Sequence, residues 1–383
     1  MKTLDDFDFK NKKVLVRIDL NSPVVKGRVK LSGKFIEHAK TLRELRNKKA
    51  KIVVLAHQGR PKEEDFLSLK QHARLLNKFV KVKFVNDTIG RKAVNEIKKL
   101  KKGKILLLEN VRYLKDEFKL NKKNKIVKVL EPLFDIFVND AFSVSHRNQT
   151  SIVGFKNLKK CAGRVMEQEL KNLEKIKKFK KPCVYILGGA KPEDDIKLVK
   201  GNVKILSCGL FGQVCLISSR YKLGGQNKYL LKKGYRANSK LAKLIKKYKI
   251  EMPIDFGVKI KGRRKDKMLN NFPVKEEIFD IGPETVEKYV KIIKKAKTIF
   301  MKGTAGYCEE RQFRRGTRKI LRAIPKNAYS LLGGGHLSSA IKSLGIKKSK
   351  FGYVSLSGGA LIAYLAGEKL PGVEILKSGK SGI

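Results

Sequence analysis

Short apolar runs, each followed by a polar or glycine-rich turn and then by a helical pattern, recur along the whole chain. The clearest case lies near mid-chain. Val184–Leu187 has the length and branching of a buried strand, Gly188-Gly189 ends it, and Pro192 with three acids begins a helix. Such alternation with short connections predicts parallel sheets with helices on both faces, which is a doubly wound α/β fold.

The length of the chain predicts more than one domain. At 383 residues it exceeds the size at which single hydrophobic cores stop growing. Apolar residues at helical spacing over 162–179 indicate one long helix, which we interpret as the link and hinge between two lobes. We therefore expect two Rossmann-like parallel-sheet domains, one over 1–162 and one over 163–367 that begins with the joining helix.

Composition argues against a membrane or secreted protein. No apolar run approaches the ~20 residues that span a bilayer, and the first residues lack the apolar core of a signal peptide. The five cysteines include no C-x-x-C pair and no metal-ligand spacing. We therefore expect reduced thiols, no metal held by side chains and a cytoplasmic location.

The charge is larger than a small-molecule site requires. The chain has 89 basic and 35 acidic residues, a formal net charge of +54. Such a field attracts nucleic acid non-specifically, yet the lysines are spread over the whole chain with no single basic arm. Non-specific nucleic-acid association and simple accumulation of lysine on solvated helix faces are both open explanations.

Polar and basic residues follow the predicted strands of the first half. The carboxyl ends of parallel strands lie along one edge of a sheet, so residues far apart in sequence converge there. Guanidinium groups match carboxylate and phosphate, so the set predicts a site for a small anion. A single arginine is more often a surface ion-pair partner, and recurrence at successive strand ends favours the site. The residues are Asp19, Asn21, His57, Arg60, Arg112, His146 and Arg147.

Glycines follow the predicted strands of the second half. Such turns let the backbone approach phosphates and present N–H groups at helix starts, although one glycine turn alone is only a turn. Neither a P-loop nor a G-x-G-x-x-G fingerprint occurs, but repetition in one lobe indicates a nucleotide. A small-anion lobe and a nucleotide lobe suggest phosphoryl transfer with closure between them. The turns are Gly188–Lys191, Cys208–Gly212, Lys302–Gly306, Gly333–His336 and Ser357–Gly359.

Eight ordered motifs resemble those of the phosphoglycerate kinase family, in its archaeal form, over almost the whole chain. The resemblance implies reversible, Mg²⁺-dependent transfer between ATP and 3-phosphoglycerate, giving ADP and 1,3-bisphosphoglycerate, in glycolysis and gluconeogenesis. It also implies that the C-terminal segment 368–383 packs back on the first lobe, and it is compatible with a monomer or a homodimer. The motifs are Val14–Asn21, His57–Pro61, Leu107–Arg112, Val138–Phe142 with His146-Arg147, Gly188–Lys191, Asp280–Glu284, Gly333–Gly335 and Leu370–Val373.

The resemblance implies a role for each of the grouped residues, and it assigns no side chain as a metal ligand. Glu309 resembles the acid that binds the ribose. The acceptor substrate would be bound by Asp19, Asn21, His57, Arg60, Arg112 and Arg147. The nucleotide would be bound by Lys191, Gly209, Glu309, Gly333, Gly334, Gly335 and His336, and the catalytic residues would be Lys34, Lys191, Gly335 and Gly358.

Several positions depart from the family pattern. Lys34 stands where the family has an arginine, which keeps the charge but loses the bidentate fork. Asp195 stands where a second lysine is common, with Lys197 as a candidate substitute. Lys302 replaces the usual asparagine, and His336 replaces an acid, as in archaeal members.

These departures and the charge support a second hypothesis, a catalytically weakened paralogue that binds RNA or another polyanion through its basic surface. The intact anion-binding strand ends favour the active kinase, because a non-catalytic binder does not need them. A coupled assay with ATP, Mg²⁺ and 3-phosphoglycerate distinguishes the two hypotheses.

Overall fold

The apolar runs of the chain form the strands of two separate parallel sheets. The computed structural model describes residues 1–377, which divide into two compact units. The first unit is Met1–Lys171 together with the described residues from Gly367 onward, and the second is Asn172–Ala366. The division falls within the helix Arg164–Lys177, which lies inside the helical range expected at 162–179.

Strands and helices alternate along residues 1–377. The strands are β1 (Lys13–Arg17), β2 (Val24–Val25), β3 (Arg28–Val29), β4 (Lys51–Leu55), β5 (Lys83–Val85), β6 (Ile105–Leu108), β7 (Ile136–Asn139), β8 (Lys159–Ala162), β9 (Cys183–Leu187), β10 (Lys204–Ser207), β11 (Asp255–Ile260), β12 (Arg263–Met268), β13 (Ile278–Ile281), β14 (Thr298–Lys302), β15 (Tyr329–Gly333) and β16 (Tyr353–Val354). The helices are α1 (Gly33–Asn47), α2 (Lys70–Leu76), α3 (Arg91–Lys98), α4 (Lys125–Leu130), α5 (Thr150–Val153), α6 (Arg164–Lys177), α7 (Pro192–Ile196), α8 (Gly209–Ser218), α9 (Gly225–Lys232), α10 (Ser239–Tyr248), α11 (Pro283–Lys294), α12 (Arg315–Ala323), α13 (Gly335–Ser343), α14 (Gly359–Leu365) and α15 (Pro371–Lys377).

The first unit is built on a parallel sheet with the strand order β5-β6-β4-β1-β7-β8. Both faces of the sheet are covered. Val14 and Val16 pack into the core on one face, whereas Leu15 packs into the core on the other. Strands buried on both faces explain why the sequence shows continuous apolar runs rather than alternation. The prediction of a doubly wound sheet is confirmed.

The second unit repeats this architecture with the parallel order β10-β9-β14-β15-β16. Val184 and Ile186 of β9 pack with Leu206 and Met301 in its core. Because β9, β14 and β15 are adjacent, the turns that follow them lie side by side at one edge of the sheet.

A small antiparallel sheet, β12-β11-β13, corrects part of the strand prediction. β11 begins at Asp255 and runs to Ile260, because Pro253 precedes it and offers no backbone donor. β12 was missed because Arg263–Met268 is a largely exposed edge strand without apolar alternation. The helix before β7, α4, is only six residues long.

The last described helix, α15, packs within the first unit. The Gly372 N–H donates to the Ser145 carbonyl at 2.9 Å, and Asn139 Nδ2 donates to the Gly372 carbonyl at 2.9 Å. Residues 378–383 of the predicted C-terminal segment lie outside the described residues. Among residues 1–377, no helix has the length and apolar character to cross a bilayer.

Candidate functional site

Three arginines from three separate strand-end loops surround one cavity in the first unit. Arg60 follows β4, Arg112 follows β6 and Arg147 follows β7. The cavity has a volume of about 410 Å³. The structure therefore brings together residues that are up to 87 positions apart (147 − 60) in the chain. The remaining lining residues are Pro61, Phe118, His146 and Gln149.

Arg112 is the most constrained of these cations. It is buried, and its Nη1 donates to the Gly59 carbonyl, whereas its Nε has no hydrogen-bond partner within residues 1–377. Burial, together with the charges of Arg147 and Arg17, lowers the pKa of Arg112 to about 10. The guanidinium still carries its charge at neutral pH, so an anion in the cavity would compensate a charge that is costly to bury.

His57 lies beside this group with a defined tautomer. Its Nδ1 is 3.1 Å from Arg17 Nη2, and a guanidinium only donates, so Nδ1 is the acceptor and the ring proton is on Nε2. Burial and the Arg17 charge hold the pKa of His57 well below its usual value. The ring is therefore neutral at physiological pH and has one N–H donor for an anionic oxygen.

Arg17, which contacts the candidate site residue His57, was not singled out in the sequence. It is fully buried in β1, and its Nε donates to Ser151 Oγ at 2.8 Å. Ser151 in turn donates through Oγ to Glu117 at 2.7 Å and through its backbone N–H to the same carboxylate at 2.9 Å. A charged residue inside the apolar run 14–18 was the available signal, because arginine is almost never fully buried unless it is paired.

Asp19 and Asn21, which follow β1, contact Lys34 in the first turn of α1. Lys34 Nζ lies 2.5 Å from Asp19 Oδ2 and donates to the Asn21 carbonyl at 3.0 Å, and the Ser143 hydroxyl donates to the same carboxylate. Burial opposes ionisation of Asp19, but the Lys34 ammonium outweighs it and holds the pKa of that carboxyl well below its usual range. Asn21 Oδ1 accepts from the Gly59 N–H at 2.8 Å, which joins this loop to the loop of Arg60.

The first glycine turns of the second unit pack so closely that only glycine fits. The Gly188 N–H donates to the Lys302 carbonyl and the Gly189 N–H to the Thr304 carbonyl, both at 2.9 Å. Gly189 and Gly303 have φ of +88° and +73°, and a Cβ on Gly303 would overlap the Gly188 carbonyl. The glycines predicted as phosphate-binding turns therefore also have a structural role.

The triple glycine contacts the last glycine turn. Gly333 ends β15, Gly334 has φ +108° and donates to the Ser357 carbonyl at 3.1 Å, and Gly335 begins α13. A Cβ on Gly334, Gly335 or Gly358 would have no neighbour within 4 Å. Space is therefore open above these turns, which is what close approach of a ligand to the backbone needs.

The charged residues predicted for this unit are exposed. Lys191 follows the first glycine turn, His336 lies in the first turn of α13, and Glu309 lies in the loop after β14. Gly209 begins α8, and its N–H donates to the Ala305 carbonyl at 3.2 Å. Within the described part of the chain, no group of three His, Cys, Asp or Glu side chains is placed to hold a metal ion.

Two of the departures noted in the sequence contact each other. Asp195 is completely buried, and Lys302 Nζ lies 3.0 Å from its Oδ2. The structure thus places a cation beside the position where the family commonly has its second lysine. The suggestion that Lys197 substitutes for that lysine stays a prediction.

Comparison with known proteins identifies relatives over the whole chain. The family model described as phosphoglycerate kinase matches residues 4–368. The phosphoglycerate kinase of Methanothermus fervidus is 41% identical over 99% of this chain and 97% of its own, and that of Methanobacterium bryantii is 42% identical over 98% and 96%. The crystal structure of phosphoglycerate kinase from Pyrococcus horikoshii OT3 superposes with a TM-score of 0.92 at 35% identity, covering 98% of both chains. The enzyme from Coxiella burnetii gives 0.80 at 30% identity.

Proposed function

This chain belongs to the phosphoglycerate kinase family, and we propose that its first unit binds the phosphoglycerate and its second unit the nucleotide. The chain is a phosphotransferase with a carboxyl acceptor (EC 2.7.2.3), which transfers a phosphoryl group reversibly between MgATP and 3-phosphoglycerate. The alternative of a weakened, polyanion-binding paralogue has no support from the relatives. In domain terms we assign 3-phosphoglycerate binding to 1–162 with 368–383, and nucleotide binding to 163–367.

The observation that carries the acceptor assignment is the cationic cavity of the first unit. Its size, about 410 Å³, suits a three-carbon phosphate ester, and three arginines line it. We assign Arg60, Arg112 and Arg147 to the anionic groups of 3-phosphoglycerate or 1,3-bisphosphoglycerate, and the His57 Nε2–H to one of their oxygens. We also assign Asp19 and Asn21, which both contact Lys34, to binding of the acceptor. Lys34 then supplies positive charge as the acyl phosphate forms or breaks.

The donor assignment rests on the glycine turns and Lys191. The open backbone at Gly334, Gly335 and Gly358 leaves room for a phosphate chain to reach N–H groups. We assign the phosphates of MgATP or MgADP to these turns, to Gly333 and to the Lys191 ammonium. The remaining nucleotide contacts are assigned to Gly209, to His336 and, for the ribose, to Glu309. Phosphoryl transfer of this kind needs positioning and charge neutralisation, so no covalent enzyme intermediate is required.

A coupled spectrophotometric assay with MgATP and 3-phosphoglycerate tests the proposal. The parent protein should catalyse the reaction. Arg112→Gln should raise KM for 3-phosphoglycerate by about 10- to 100-fold, which corresponds to the loss of one hydrogen bond to a charged group. Its KM for MgATP should stay within about twofold. Lys191→Met should show the reverse pattern. Arg43→Gln is the matched control, because Arg43 is an exposed arginine on α1.

The proposal fails if folded parent protein shows no turnover, or if Arg112→Gln raises both KM values equally. An equal rise would mean that the cavity does not bind the acceptor selectively.

Three further properties are proposed. The five cysteines are all free and buried, which favours a cytoplasmic location. The net charge of +54 favours non-specific association with nucleic acid, which a mobility-shift titration should detect at low salt and lose as salt rises. Light scattering should give the mass of a monomer or a homodimer.

A further inference from the structure

A buried ion pair lies under the turn that presents Lys191. Lys302 is the last residue of β14, and its side chain is 9% exposed, whereas the Asp195 side chain is completely buried. Lys302 Nζ lies 3.0 Å from Asp195 Oδ2 and donates to the Lys191 carbonyl at 2.9 Å. Neither oxygen of the Asp195 carboxylate has a hydrogen-bond partner of good geometry within residues 1–377, so its contact with Lys302 is an ion pair without an aligned hydrogen bond.

Stability alone is a poor explanation for this pair. Desolvating two charges costs as much as their attraction returns, and well-packed apolar residues commonly serve a fold equally well. Lysine and aspartate are also rarely buried this completely. A buried pair whose carboxylate oxygens both lack a well-aligned hydrogen bond therefore indicates a role other than stabilisation of the unit.

The pair fixes the joint between the glycine turn and α7. The Lys302 ammonium contacts the backbone at Lys191 and the side chain four residues later, so it spans the joint. α7 is only five residues long, and Lys191 is its N-cap without any side-chain cap. A helix this short has little stability of its own. In the sheet, Lys302 lies opposite Leu187 and Gly333, so one residue connects the ends of β9 and β15.

We propose that Lys302 is a positioning residue that holds the Lys191 backbone so that the Lys191 ammonium reaches the terminal phosphates of the nucleotide. Asp195 is the counter-ion that keeps Lys302 in place. Lys302 also neutralises one of three consecutive acids, Glu193 to Asp195, that would otherwise repel a phosphate at this joint. The inference rests on the proposed contact between Lys191 and the nucleotide.

The decisive variant is the double substitution Asp195→Asn/Lys302→Met. Lys302→Met alone leaves a buried carboxylate without its cation and is expected to unfold more readily, so it is not informative by itself. The double variant removes both charges with little change in volume. Its thermal unfolding midpoint should stay within about 5 °C of the parent.

The expected result is a kcat at least 10-fold lower and a weaker affinity for MgATP by calorimetry. Affinity for adenosine, which lacks the phosphates, and KM for 3-phosphoglycerate should stay within about twofold. A merely structural role would not separate adenosine from MgATP. The matched control is Lys267→Met/Glu276→Gln, which removes another lysine–carboxylate pair of the same unit, with Nζ and Oε2 3.5 Å apart. It should behave like the parent in all four measurements.

Lys191→Met distinguishes the two proposals. If it is impaired while the double variant has the parent's kcat and MgATP affinity, the positioning role of Lys302 is refuted and the nucleotide site stands. If Lys191→Met itself behaves like the parent, the proposed contact fails and the positioning role fails with it.

Discussion

Replacement of Lys34 is the most informative perturbation of the acceptor side. Lys34 Nζ is 2.5 Å from Asp19 Oδ2 and 3.0 Å from the Asn21 carbonyl, and its side chain is only 20% exposed. Lys34→Met removes the charge while the aliphatic chain stays similar in length. The Asp19 carboxylate then remains buried with the Ser143 hydroxyl and the Asn21 N–H as its donors.

The expected loss of stability follows from these contacts of Lys34 and Asp19. Removing one partner of a buried ion pair costs about 3–5 kcal/mol. Because Lys34 is partly exposed and Asp19 keeps two donors, we expect the free energy of unfolding to fall by about 2–3 kcal/mol at neutral pH. Lys34 lowers the folded-state pKa of Asp19, so this stabilisation is present above the unfolded value of about 3.9 and is lost as pH falls below it. The difference between parent and variant should therefore shrink below about pH 4.

The cost to catalysis should be separable from the cost to stability. Losing one preorganised positive donor at the reacting group lowers kcat by about 10²- to 10³-fold. Asp19→Asn/Lys34→Met should recover most of the stability, because no buried charge is left, but it should not recover kcat. Lys34→Arg restores the charge with a bidentate fork and should remain within about 10-fold of the parent.

Denaturant unfolding and the coupled assay measure both quantities on the same preparations. A kcat for Lys34→Met within about twofold of the parent would refute the catalytic role. Recovery of kcat in the double variant would show that Lys34 acts only by compensating Asp19.

Two further predictions concern the polar interior and the glycine turns. Burial lowers the pKa of His72 to about 4, whereas the pKa of histidine in the unfolded chain is about 6.5. As pH falls, the unfolded chain therefore binds the proton before the folded protein does. The free energy of unfolding should be greatest above pH 6.5 and should fall by up to about 3 kcal/mol as pH drops to 4. His72→Gln should reduce that slope in urea titrations between pH 4 and 7, and an unchanged slope would exclude His72 as a contributor. Gly303→Ala should weaken MgATP binding by at least 10-fold, because its Cβ meets the Gly188 carbonyl and its φ is +73°. Gly234→Ala is the control, because Gly234 also has a positive φ, +82°, but a Cβ there would have no neighbour within 4 Å. It should lower the free energy of unfolding by only ~1 kcal/mol and leave the affinity for MgATP unchanged. Equal effects of the two substitutions on that affinity would contradict the steric argument.

Much of the fold could be predicted because its strands are buried on both faces. Runs such as Val14–Val16 and Val184–Leu187 are continuous and apolar, and each is followed by a turn and a helical pattern. The exceptions have a common cause. β12, with the sequence Arg-Arg-Lys-Asp-Lys-Met, is an edge strand that is stabilised by its backbone hydrogen bonds to β11. A hydrophobic pattern in the sequence gives no information about such pairing with a neighbouring strand.

The site was predictable to the extent that it depends on strand ends. Arg60, Arg112 and Arg147 were grouped because parallel strands present their ends at one edge, and they line one cavity. Interior partners were not predictable in this way. The pairing of Arg17 with His57 decides which imidazole nitrogen donates, and it depends on two side chains 40 residues apart whose contact no spacing rule reveals.

The Lys302–Asp195 contact shows why single departures from a family pattern mislead. When each position is considered alone, Asp195 removes a cation near the turn Gly188–Lys191, and Lys302 replaces a neutral amide with a charge. Each change by itself suggests weakened catalysis. The sheet places the two side chains 3.0 Å apart, and the pair carries no net charge, which is one positive charge fewer than the lysine and asparagine common in the family. The ammonium remains beside the Lys191 backbone, supplied by β14 instead of α7. Charge at a phosphate site is therefore a property of the cluster of strand ends, and substitutions there must be evaluated in contacting pairs before a loss of activity is inferred.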